Sequence, residues 1–88
     1  MIQRLGIIYG LVDLRDQLVK YIGQTINPSV RYSDHIHDRR ITLKSSWIKF
    51  LLKRNLYPIM IILDECNKEQ LNEREKWWIA WYKKMIKS

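Results

Sequence analysis

Lys20-Tyr21-Ile22-Gly23-Gln24-Thr25, followed by Ile26 and Asn27-Pro28, is the stretch on which the fold turns. It reads as a short strand that ends in a glycine and a polar pair. Asn27-Pro28 behind it is a helix-start signal, because asparagine caps free backbone N–H groups and proline is tolerated in the first helical turn. Upstream, Leu5 to Val12 is rich in apolar and β-branched residues. Val19 to Thr25 matches it across the polar stretch Asp13-Leu14-Arg15-Asp16-Gln17, so the two read as a β-hairpin. A loop centred near Arg15 pairs residues whose numbers sum to about thirty, which places Tyr9 opposite Tyr21 on one face of the sheet. Gly10 and Gly23 flank that pair, and a strand glycine marks either a bulge or the close approach of a ligand or another backbone.

Downstream, a first helix is expected from about Pro28 to Arg39, with Arg31 and His35 on one face and Arg39 a turn further on. Val30, Tyr32 and Ile36 can anchor its other sides. Thr42 or a neighbour opens a second helix, in which Leu43, Trp47, Phe50 and Leu51 recur at helical spacing while Lys44, Lys49, Lys53 and Arg54 lie largely elsewhere. Asn55 is its left-handed stop. Tyr57-Pro58 then leads into Ile59-Met60-Ile61-Ile62-Leu63, an apolar run that suits a third strand covered on both faces. Asn67-Lys68-Glu69-Gln70 has the pattern of a capping box for a last helix through Glu75, Trp78, Tyr82 and Ile86. The order β-β-α-α-β-α makes this an α/β (α+β) chain: a small three-stranded antiparallel sheet flanked by helices.

The last helix carries an anomaly. Leu71, Glu75, Trp78, Ile79, Tyr82 and Ile86 share one stripe, so a carboxylate sits where the spacing asks for a core residue. Burying it unpaired would cost on the order of several kcal/mol, so a metal or an arginine is expected nearby. Trp77 and Trp81 lie a turn apart off that stripe, and either pack against the second helix near Trp47 or form an exposed patch for a second copy or a missing domain.

At 88 residues the chain is expected to form one domain, 1–88, with a single modest core. Sixteen basic against nine acidic residues leave a net charge of +7, which favours a polyanionic partner such as nucleic acid, although acidic membranes and plain solubility also suit it. Cys66 stands alone, which excludes a disulfide framework and a CxxC metal knuckle and suits a reducing, cytoplasmic setting. Met1-Ile2-Gln3-Arg4-Leu5-Gly6 lacks the basic-then-apolar layout of a signal peptide, and no apolar run approaches the roughly 18 residues of a membrane span. A soluble intracellular protein is expected.

Taken singly, Tyr9 and Tyr21 would be packing tyrosines, His35 a surface histidine and Arg31 a solvated cation. Their order along the chain changes that. Ile8-Tyr9-Gly10, Tyr21-Ile22-Gly23-Gln24-Thr25, Arg31-Tyr32-Ser33-Asp34-His35 and Glu75-Lys76-Trp77-Trp78-Ile79 together resemble the GIY-YIG nuclease family, and the resemblance covers essentially the whole chain. It implies hydrolysis of DNA phosphodiester bonds assisted by one divalent metal, Mg2+ or Mn2+. By position, Tyr9 matches the tyrosine proposed as general base towards the attacking water, and Tyr21 the second motif tyrosine that supports the same centre. Arg31 would hold the scissile phosphate, His35 would relay a proton or bind a phosphate oxygen, and Glu75 would hold the metal. Ile7 stands where the first family motif has glycine, and the family asparagine beyond the glutamate has no counterpart, since Asn67 and Asn72 both precede Glu75.

These roles also have a physical basis. Charge that builds on a phosphodiester during in-line attack is stabilised by a fixed guanidinium and a hard cation. Magnesium is satisfied by one carboxylate, waters and substrate oxygens. Tyrosine, with an ordinary pKa of about 10, needs a neighbouring cation to act as a base. Phosphate contacts from Lys20, Arg31, Arg39, Arg40 and Lys44 can supply affinity for duplex DNA without reading bases, while His37 stays outside the site. The expected function is a metal-dependent DNA endonuclease with weak sequence preference. The alternatives are a DNA-binding module of the same fold without turnover and a basic protein-interaction domain.

Overall fold

The computed structural model describes residues 5–86; residues 1–4, read above as unlike a signal peptide, and the side chain of Ile86 lie outside what is described. Strands β1 (Gly6–Asp13) and β2 (Leu18–Thr25) are followed by helices α1 (Pro28–Ile36) and α2 (Leu43–Leu52), strand β3 (Ile59–Cys66) and helix α3 (Leu71–Ile86). The order β-β-α-α-β-α is the expected one, and the sheet is antiparallel throughout with strand order β2-β1-β3.

The central position of β1 follows from its composition. Ile8, Tyr9 and Leu11 are fully buried, as a strand covered on both faces requires. Ile8 packs with Cys66 and Leu71 on the side of α3, joined by Ile22, Leu63 and Trp78. Tyr9 and Leu11 pack with Ile48 on the other side, joined by residues of α1 and α2 such as Tyr32, Ile36 and Trp47. The sheet is therefore a middle layer.

The hairpin register differs from the expected one. The turn closes on Asp13 paired with Leu18, and Lys20 is then left over as a bulge, because Val12 pairs with Val19 and Leu11 with Tyr21. Tyr9 consequently faces Gly23 rather than Tyr21. The displacement amounts to two residues, and the side-chain period of a strand is also two, so both tyrosines stay on one face.

Other boundaries move for local reasons. Helix α1 opens as expected, with Asn27 accepting from the Val30 N–H and Pro28 in the first turn, but it ends at Ile36 rather than Arg39. Beyond it the Asp38 carboxylate accepts from the Arg40 N–H at 2.9 Å, and this side-chain turn redirects the backbone. Thr42 caps α2 in a reciprocal box with Ser45, and Asn55 takes the left-handed conformation beyond its end. Strand β3 lies at the sheet edge, so Ile59 and Ile62 are partly exposed where burial on both faces was expected. Asn67 makes no side-chain cap. Lys68–Gln70 forms a 3-10 turn instead, and α3 starts at Leu71.

Trp77 and Trp81 do not reach Trp47, because α3 and α2 cover opposite faces of the sheet. They are 56% and 40% exposed and meet Trp78 and Tyr82 edge-on within their own helix. Trp47 instead donates from its indole N–H to the buried Asp13 carboxylate at 3.0 Å. Arg15 grips the same carboxylate with 2.6 Å between Nη2 and Oδ2, and this cation holds Asp13 well below the usual carboxylate range. No described helix is long and apolar enough to cross a membrane.

Candidate active site

The site begins at Gly23. A side-chain carbon on that residue would lie 2.5 Å from the Tyr9 hydroxyl oxygen and 3.0 Å from the Tyr21 ring, so only glycine leaves the Tyr9 phenol its place across the strand pair. Of the two readings of that glycine, close approach is the one observed.

The Tyr9 hydroxyl lies 2.6 Å from Nε2 of His35 and 3.3 Å from Nε of Arg31. Arg31 can only donate, so the phenolic oxygen accepts from it and directs its own proton at His35. His35 Nε2 is then the acceptor and the ring proton sits on Nδ1, an assignment made from the hydrogen-bond network. That Nδ1 is buried without a partner among the described residues. Burial, followed by the nearby Lys44 and Arg31 cations, pushes the pKa of His35 down to about 4, so the ring is neutral at physiological pH.

Tyr9 itself is fully buried, and burial pushes its pKa up to about 12 despite the Arg31 hydrogen bond. Burial strips hydration from Arg31 and is the largest single influence on it, but the hydrogen bonds and charges of Tyr9 and Tyr21 together outweigh this and raise its pKa, so the guanidinium stays charged. Tyr21 is half-buried, lies tilted beside the Tyr9 ring (6.3 Å) and meets the His35 ring edge-on (5.2 Å). Tyr9, Tyr21, Arg31 and His35 thus form one cluster.

Glu75 reaches this cluster from the opposite layer. Gln24, on the edge strand β2, donates from Nε2 to Glu75 Oε2 at 3.2 Å and to Asn72 Oδ1 at 2.8 Å. The Glu75 charge acts on the Tyr9 hydroxyl and adds to the rise of its pKa. Glu75 is half-buried and no arginine pairs with it among the described residues; the amide of Gln24 is its hydrogen-bond partner there. Among the described residues no group of three or more His, Cys, Asp or Glu side chains could hold a metal. One carboxylate in a polar setting still fits magnesium, which keeps several waters and takes its remaining oxygens from substrate.

The basic residues divide. Lys44 is 3.3 Å from Asp38 and stands 5.2 Å from the centre of the Tyr21 ring. An open cleft of about 490 Å³ runs beside it, lined by Arg15, Lys20, Tyr21, Leu43 and Lys44 among others. Lys20 pairs with Asp16 at 2.6 Å, and Arg40 pairs with Asp38 at 2.9 Å while 70% of its side chain stays exposed. Arg39 is exposed on the turn after α1. The His37 imidazole, at the C-cap of α1, bonds to Ser33 one turn back and to no other described residue. Sequence reasoning missed Gln24 and Arg15: the first faces α3 because it shares the strand face of Ile22, which packs on the α3 side, and the second lines the cleft while it grips Asp13.

The family model described as GIY-YIG catalytic domain matches residues 5–87. No curated protein and no solved structure matches the chain. With that match over nearly the whole chain and the expected order of strands and helices around Tyr9, Tyr21, Arg31, His35 and Glu75, the protein belongs to the GIY-YIG catalytic domain family of nucleases.

Proposed function

We propose that the protein is a divalent-metal-dependent endonuclease that hydrolyses DNA phosphodiester bonds with weak intrinsic sequence preference. The observation that carries the reading is the continuous network from His35 through Tyr9 to Arg31, with Glu75 close enough for its charge to act on the Tyr9 hydroxyl. In the reaction a water oxygen bonds to phosphorus as the P–O bond opposite it breaks; the water proton leaves to a base and the departing oxygen gains one. Bound at Glu75, magnesium or manganese would supply positive charge to the phosphate oxygens. Arg31 offers a fixed cation to the same oxygens.

Burial supports a division between the tyrosines that departs from what the family resemblance implies. Tyr21 faces the cleft and is the hydroxyl that meets the attacking water, whereas the fully buried Tyr9 sits behind it and fixes Arg31 and His35. A ring as buried as that of His35 has no direct access to a phosphate oxygen, so its part is to hold the Tyr9 proton. Lys20, Arg39, Arg40 and Lys44 add sequence-independent phosphate affinity. The exposed Trp77 and Trp81 suit contact with a second copy or a further domain.

Supercoiled plasmid incubated with magnesium or manganese should be nicked, and Glu75→Ala or Arg31→Ala in a folded protein should abolish it. Full activity in either variant would sink the mechanism. The protonated, buried state of Tyr9 favours one second reading, a DNA-binding module without turnover. That reading predicts salt-sensitive retention of duplex DNA, no metal-stimulated nicking, and no effect of Glu75→Ala on binding.

A further inference from the structure

Between α1 and α2 the chain forms a short turn, Arg39-Arg40-Ile41-Thr42, that runs into Leu43 and Lys44. Ile41 is 93% and Leu43 94% exposed, the two most exposed large apolar side chains among the described residues. Aliphatic side chains are ordinarily drawn into a core, and α2 has a buried face in Ile48 and Leu51 from which these two are directed away.

The turn is nevertheless tightly held. The Ser45 hydroxyl donates to the Arg40 carbonyl, the Thr42 N–H donates to Ser45 Oγ at 2.9 Å, and the Ser45 N–H donates to Thr42 Oγ1 at 3.0 Å. Ser45 is itself buried, and Asp38 fixes the Arg40 N–H from the other side. Two aliphatic side chains are thus presented to solvent on a rigid support.

Their surroundings indicate what would receive them. Arg39, Arg40, Lys44 and Asp38 are the charged neighbours, Asp38 pairing with both Arg40 and Lys44, so the exposed Arg39 and Arg40 leave the turn net positive, and Leu43 and Lys44 line the same cleft as Tyr21. A membrane or protein partner could use the apolar pair, but the cleft that Leu43 shares with Tyr21 also holds Lys20 and Lys44, and Arg39 and Arg40 stand exposed next to it in the chain, which favours a polyanion. Minor-groove binders that hold the duplex with Arg and Lys frequently insert an apolar side chain such as Ile or Leu between base pairs, unstacking a step and bending the duplex. We propose that Ile41 and Leu43 form a wedge that enters the duplex beside the scissile phosphate and unstacks one base step, with Arg39, Arg40 and Lys44 holding the flanking phosphates. The wedge rests on the DNA-directed reading of the site.

The test uses the full chain without divalent metal and short duplexes in which 2-aminopurine replaces adenine at successive positions. Binding is read by anisotropy and unstacking by 2-aminopurine emission. Wild-type protein should raise the emission at least about two-fold at one or more positions. An Ile41→Ser/Leu43→Ser variant, which removes no buried contact, should lose that rise while its duplex affinity falls less than about ten-fold, because the phosphate contacts remain. Binding without any rise, or a rise that the variant keeps, would overturn the wedge. Plasmid nicking without unstacking would overturn it and leave the nuclease reading standing, whereas unstacking without nicking would do the reverse. No duplex binding at all would remove both. Sedimentation of the free chain as a dimer that the same substitutions disperse would assign the pair to self-association and overturn the proposal.

Discussion

The Tyr9 hydroxyl donates to Nε2 of a neutral, buried His35 at 2.6 Å and joins strand β1 to helix α1 through one proton. The ring has no hydrogen-bond partner other than this among the described residues, since its Nδ1 is buried and unpaired. Tyr9→Phe leaves Nε2 unsatisfied as well, and a loss of about 1–3 kcal/mol in urea denaturation is expected. Plasmid nicking should fall with it through the displaced Arg31. A variant as stable as wild type would show that the bond contributes nothing to the fold.

His35 also sets an acid limit on stability. Its folded pKa of about 4 lies below the ordinary 6.5, so the unfolded chain takes up a proton first as the pH falls. The stability from neutral His35 is complete above pH 6.5 and is lost between there and about 4. Thermal melts from pH 7 to 4 should therefore decline more steeply in wild type than in His35→Gln, and parallel declines would refute the assignment.

Gly23→Ala places a methyl group 2.5 Å from the Tyr9 oxygen. The clash can be relieved only by moving the phenol away from His35 and Arg31. Nicking should drop more than about ten-fold, with a stability cost of about 1–3 kcal/mol. Retention of wild-type rates would mean that the position of Tyr9 does not matter to turnover.

Gln24→Ala frees Glu75 and Asn72 from their shared donor while leaving the carboxylate in place. The metal concentration that gives half-maximal nicking should rise about ten-fold, the usual scale for losing a neighbour that orients a metal-binding group. The rate at saturating metal should change less. An unchanged metal titration would remove Gln24 from the site.

Trp47→Phe keeps the packing of α2 on the sheet but withdraws the indole N–H from Asp13. Arg15 continues to pair the carboxylate, so a loss of about 1–2 kcal/mol is expected in denaturant unfolding, without a change in fold by circular dichroism.

Much of this was legible in the linear chain because the relevant signals are local. The cap at Asn27, the Thr42 start, the left-handed Asn55 and the spacing of Arg31 and His35 each depend on a few neighbouring residues, and each stands as read. The Asp38 turn was also local, but its shortening of α1 was missed because asparagine and aspartate compete with helix only where the chain is free to turn. Register, strand order and facing layers are decided by contacts remote in sequence. The bulged Lys20 moved Tyr9 onto Gly23, the edge position of β3 exposed an apolar run, and the middle sheet separated Trp77 and Trp81 from Trp47.

By itself the sequence determined which elements form and in what order, because helix caps and strand alternation are properties of the chain read along its length, and the order of Tyr9, Tyr21, Arg31, His35 and Glu75 marked them as the candidate site. Only the tertiary structure decided that Tyr9 is fully buried with its hydroxyl between His35 and Arg31, that Gln24 of β2 bonds Glu75 of α3, and that Ile41 and Leu43 stand in water. Burial and long-range hydrogen bonding arise when distant segments pack, and no local pattern encodes them.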